Sequence, residues 1–159
     1  MRGALGRLGG RGRGFTMAEM VMVATILTVL SALVLPVAKF SVKRSKEILL
    51  QQHLRQMRDA IDEYKRYSDL GLLPVELGTD GYPADLETLV EGVELVGQVS
   101  KRARFLRRIP IDPMTGEAEW GLRSFQDDYD STSWGGENVF DVYSLSRGTG
   151  MNGIPYEQW

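Results

Sequence analysis

Residues 15–38 form a run of 24 residues with a single charge, Glu19. At about 1.5 Å of rise per helical residue, such a run reaches roughly 36 Å, enough to cross a hydrocarbon core of about 30 Å with some tilt. One transmembrane helix is therefore predicted, and it partitions the chain. Residues 1–14 precede it, residues 39–69 continue it, and only residues 70–159 remain for a globular domain. That remainder is near the lower limit for a self-sufficient hydrophobic core. It must fold without covalent staples, because the chain has no cysteine.

The first fourteen residues are rich in Gly and Arg and cannot bury a core, so they read as a short basic leader on the cytoplasmic side of a membrane. They hold four arginines and no acid; without them the net charge of −2 becomes −6. An acidic mature chain lacks the excess of Lys and Arg that neutralising phosphates requires, so nucleic acid is excluded as the main partner. A cleaved secretory signal also begins with a basic stretch and an apolar run. This run is too long for a signal core, carries Glu19 near its start, and is followed by no clear Ala-x-Ala site before Lys39.

A carboxylate inside an apolar span costs on the order of a few kcal/mol even on lenient insertion scales, so Glu19 calls for a partner or a function. It stands in the string Gly14, Phe15, Thr16, Met17, Ala18, Glu19. That string resembles the processing site of type IV pilins and of the pseudopilins of type II secretion systems. The resemblance implies cleavage after Gly14 by a prepilin peptidase, N-methylation of Phe15, and a role for Glu19, fifth in the mature chain, in pairing with a neighbouring subunit's amino group. Pro36 extends the match, since many pilins and pseudopilins have a proline there; chemically it removes a helix hydrogen bond and favours a kink or local melt. Charge counting alone nearly ties across the span, with Lys39, Lys43, Arg44 and Lys46 following it and only Glu47 offsetting them. The peptidase resemblance decides the orientation, with the leader inside and the C-terminal domain in the periplasm.

Beyond the span, Leu50, Leu54, Met57, Ile61 and Tyr64 recur at spacings of four, three, four and three, one face of a helix predicted to run to about Ser68. Such a stripe faces the chain's own core more often than a neighbour, so packing on the domain's own sheet is expected. Gly71 and Pro74 break the pattern. A Gly-rich turn lies at 78–81 and a short helix at 85–91, followed by the basic residues Lys101, Arg102, Arg104, Arg107 and Arg108, which read as a solvated face or a contact with an acidic neighbouring subunit. Strands are predicted at 117–123 and, more strongly, at 139–145, which is dense in β-branched and aromatic residues. The run from Arg108 to Pro113 and the string from Phe140 to Leu145 also resemble the turn and final strand of major pseudopilins.

No enzyme can be built from these residues by any familiar pattern. His53 is the single histidine, there is no cysteine, and no P-loop or dinucleotide fingerprint occurs. His53 is expected to be a partly buried structural residue. The resemblance implies calcium in the loop after the final strand, but residues 146–153 contain no acid. The other oxygen-rich segment holds Asp127, Asp128 and Asp130 with Ser131 and Ser133; it is a candidate calcium site whose competing reading is a solvated acidic loop.

The expected fold is α+β: a long N-terminal helix, transmembrane and then amphipathic, packed on a small C-terminal antiparallel sheet. The expected role is a pseudopilus subunit in type II protein secretion, held in the inner membrane by one span. Its expected partners are further copies of itself, minor pseudopilins, prepilin peptidase, the inner-membrane assembly platform and membrane lipid, with calcium as a possible ligand. The alternatives are a type IV pilin or minor pilin of an adhesion, motility or DNA-uptake filament, and a membrane-tethered binding or hydrolase domain.

Overall fold

The computed structural model describes residues 14–97 and 101–159, with their side chains except at 33–37. The leader before Gly14 and the side chain of Pro36 thus lie outside the described residues. The chain divides into two compact units, one ending at Ser41 and the other comprising Val42–Trp159. Helix α1, Met17–Asp69, contributes to both.

In the first unit α1 presents its apolar side chains outward: Met20, Val21, Met22, Ile26, Leu27 and Leu30 are all exposed, as is Phe15 just before the helix. Among the described residues no helix is long and apolar enough to cross a membrane. The expected span runs on through residues 33–37, whose side chains lie outside that set.

In the second unit α1 turns one face inward. Leu50, Leu54, Met57, Ile61 and Tyr64 are buried, joined by Ala60, and form one cluster with Leu73, Leu86, Leu89, Leu106, Trp120, Val139, Val142 and Tyr156. The apolar stripe therefore faces the chain's own domain, as expected. Each such side chain removed from water stabilises the fold by roughly 1.5–3 kcal/mol before entropy is counted. The helix stops where Gly71 adopts φ 69°, with its N–H donating to the Ser68 carbonyl at 2.8 Å and the Leu72 N–H to Tyr67 at 3.0 Å. A left-handed residue there costs glycine nothing and satisfies the last carbonyls of the helix.

Helix α2, Leu86–Glu91, is short and sharply bounded. The Asp85 carboxylate accepts from the Thr88 N–H at 2.7 Å and from its hydroxyl at 2.6 Å. Strand β1, Val93–Glu94, then pairs antiparallel with β2, Arg102–Ala103. Strand β3, Gly121–Arg123, pairs antiparallel with β4, Asp141–Tyr143, and a 3-10 turn follows at Tyr156–Gln158.

Two corrections follow. The single expected sheet is two separate two-stranded ribbons among the described residues. The strands expected at 117–123 and 139–145 shrink to three residues each. At the first, Glu117 is drawn into the preceding turn, its carbonyl accepting from the Asp112 N–H at 2.8 Å. At the second, Val139 donates instead to the Pro83 carbonyl at 2.8 Å, outside the β3–β4 ribbon.

Candidate functional site

The segment carrying the expected processing and assembly residues is built as a helix start. The Glu19 N–H donates to the Thr16 hydroxyl at 3.2 Å and the Met20 N–H to the Thr16 carbonyl at 3.1 Å, so Thr16 caps α1. The Thr-x-x-Glu spacing of Thr16 and Glu19 is a capping-box pattern, a signal that sequence reasoning could have used. Glu19 also lies in the first turn, where a carboxylate is favoured by the helix dipole. Gly14, Phe15 and Glu19 are all exposed, and nothing crowds Gly14. Cleavage at Gly14 would place the new amino group one residue before the cap, at the positive end of the dipole. A nearby carboxylate offsets that repulsion.

In the second unit polar side chains of α1 reach distant parts of the chain that periodicity could not reveal. Arg58 donates to both carboxylate oxygens of Asp141, at 2.6 and 3.3 Å, and to the carbonyls of Val142 at 3.1 Å and Trp159 at 2.8 Å. Arg123 reaches the same carboxylate at 3.4 Å and donates to the carbonyls of Ser131 and Glu157. Asp141 thus joins helix to ribbon. Asp112, fully buried, accepts from the Ser144 hydroxyl at 2.6 Å and the Met114 N–H at 2.7 Å, which fixes the turn at Pro113. His53 is half-buried, its Nδ1 donating to the Ile111 carbonyl at 2.9 Å, in keeping with a structural role.

This geometry can be set beside known proteins. No family model matches the chain, and no solved structure matches it. The type II secretion system core protein G of Klebsiella pneumoniae is 29% identical over 150 residues, which cover 91% of this chain and 89% of that protein. The resemblance to the major pseudopilins is borne out.

For a pseudopilin-like chain the implied calcium can be tested against the donors present. Among the described residues no group of three or more acidic or histidine side chains is gathered to hold a metal ion. The Asp127 carboxylate accepts from the Ser124 N–H at 2.7 Å and the Gly135 N–H at 3.1 Å, so it braces its own loop. Asp128 and Asp130 are exposed. The loop after β4 is held from α1 instead. The Lys43 ammonium donates to the Thr149 carbonyl at 2.8 Å, and Glu47 Oε1 accepts from the Met151 N–H and the Tyr156 hydroxyl, each at 2.9 Å. Glu47, counted in the sequence only as an offsetting charge, is thus a buried clamp. A calcium ion takes six to eight oxygens, and among the described residues neither segment gathers three carboxylates towards that number.

The Glu47 clamp has a pH signature. Burial first, and the hydrogen bond and charge of Glu47 next, push the Tyr156 pKa from its ordinary 10.0 up to about 12. The folded chain holds this proton more tightly than the unfolded chain does. The resulting stability is fully present below the unfolded pKa of about 10 and is lost as pH rises through the folded value. Denaturation across that alkaline window should show a steeper loss for the wild type than for Tyr156→Phe, which has no such proton to lose. Parallel slopes would refute the assignment. A residual slope should remain in the variant, because burial also raises Tyr64, Tyr82 and Tyr143.

Proposed function

We propose that this chain is a structural subunit of a type II secretion pseudopilus, processed by prepilin peptidase and polymerised through the apolar part of α1. The observation that carries the reading is a single juxtaposition. A capped helix starts at Met17, just past the Gly14–Phe15 junction, holds Glu19 in its first turn, and leaves the following apolar side chains exposed. Exposed apolar side chains along a helix are costly in water and favourable in lipid or against neighbouring copies of the same helix. Similarity to the Klebsiella core protein G across nine-tenths of the chain supports the secretion system over other filaments.

In this role the mature chain, beginning at Phe15, is anchored in the inner membrane by the first part of α1 with its domain in the periplasm, then passes into the filament. The partners are further copies, minor pseudopilins, the peptidase, the assembly platform and lipid. The role is architectural rather than enzymatic. Mass spectrometry of the membrane-extracted protein tests the first step: the product should begin at N-methyl-Phe15. A mature N-terminus beyond Ala38, or an intact leader in cells with active peptidase, would sink the proposal.

A further inference from the structure

A groove of about 600 Å³ lies in the second unit between α1 and the segment 107–113; Leu49, His53, Arg107, Arg108, Pro110 and Pro113 are among its walls. It pairs apolar and proline surface with two exposed guanidinium groups, and among the described residues neither Arg107 nor Arg108 has an ion-pair partner. The loop after β3 presents the complementary surface. Tyr129 is 91% exposed, and it stands between Asp128 and Asp130, whose carboxylates are likewise exposed and without an ion-pair partner among the described residues. The loop is braced from within by Asp127, through Ser124 and Gly135, so little ordering entropy would be lost on docking.

We infer that this groove receives Tyr129 of a second copy of the chain, with Asp128 and Asp130 meeting Arg107 and Arg108. The inference rests on the filament reading above and names one of its contacts. The chemistry matches group by group. An aromatic ring packs well on proline and aliphatic walls and beside a guanidinium plane, and two carboxylates flank it where two arginines line the groove. His53 donates from Nδ1 to Ile111, so in the neutral ring Nε2 can accept from a phenol. Loop and groove are different patches of one chain. Their contact is therefore heterologous and leaves a free loop and a free groove at the two ends, the arrangement that propagates into an open helical polymer.

The full-length chain, expressed with the assembly machinery, provides the test. Because the natural sequence has no cysteine, Tyr129→Cys combined with Ile111→Cys introduces one defined pair per contact. Ile111, at the groove, is exposed, so both substitutions should be tolerated. Oxidised filaments should give a ladder of multimers, whereas either single variant can give at most dimers. Reversing charge with Arg107→Glu and Arg108→Glu should lower filament yield about tenfold at unchanged monomer level, since like charges at a contact cost heavily, and adding Asp128→Arg and Asp130→Arg should restore it. Filaments of the double-cysteine chain without a ladder, or normal yield from the charge-reversed chain, would overturn the contact and leave the subunit reading intact. A correctly processed wild type that yields no filaments would overturn both.

Discussion

Glu19→Ala is expected to leave the chain inserted and folded while filament yield falls at least tenfold, the effect of removing about 2–5 kcal/mol when one partner of a buried interfacial charge pair is lost. The monomer should survive for three reasons. The Thr16 cap is made to the backbone N–H of residue 19, which alanine retains. The substitution lowers the cost of insertion, by about 2.5–3.5 kcal/mol if the acid is taken to the bilayer centre and by less near the interface. The core from Leu50 to Tyr156 lies in the other compact unit. On the proposed reading, what disappears is the carboxylate that would pair with the amino group of a neighbour's Phe15 and set the register between copies. Filament yield is measured beside monomer level in the membrane fraction. Normal filaments would refute the role of Glu19, and loss of the monomer would move the defect to anchoring or processing. Glu19→Asp should fall between the two, because the acid remains but reaches one methylene less.

The parts of this molecule legible in its sequence are those set by near neighbours along the chain. The stripe from Leu50 to Tyr64 repeats at helical spacing and is buried throughout; the helix ends at Asp69, one residue past the expected Ser68, because Gly71 supplies the left-handed turn. The short helix begins after Asp85, the residue type that caps helices. The C-terminal end of the first expected strand is β3, and the centre of the second is β4. The β1–β2 ribbon was invisible because a two-residue strand has no alternation to detect, and its register is fixed only by a partner nine or so residues away. Arg102, read as part of a solvated basic run, is exposed as expected and is also a strand residue, which the run did not reveal. The polar ties of α1 were invisible for a stronger form of the same reason. Arg58 meets Asp141 across 83 residues and Glu47 meets Tyr156 across 109, and no local pattern encodes such distances. At the N-terminal end the Gly14, Phe15 and Glu19 constellation is legible as a string, and the Thr16 cap beside it is signalled by the Thr-x-x-Glu spacing.

Gly121→Ala should destabilise the domain by about 3 kcal/mol, a large loss for replacing hydrogen with a methyl group. Glycine ordinarily weakens a strand, and Gly121 has no positive φ, so backbone preference alone would favour alanine. Space decides the opposite. Gly121 pairs directly with Tyr143 across the β3–β4 ribbon, and a β-carbon there would overlap the Cζ end of the tyrosine ring. The ring cannot swing away. Tyr143 is 4% exposed, its hydroxyl donates to the Thr132 carbonyl at 3.0 Å, and the Arg123 guanidinium lies 4.2 Å from the ring centroid. Arg123 is in turn held by Asp141, which also binds Arg58, so displacing the ring disturbs the link between ribbon and helix. Urea titration of the detergent-solubilised full chain, followed by fluorescence of the buried Trp120, measures the loss. Alanine at 121 should cost almost nothing in a Tyr143→Ala background, because the colliding ring is gone and the two effects are coupled rather than additive. Equal costs in both backgrounds would show that backbone conformation, and not the ring, requires glycine at this position.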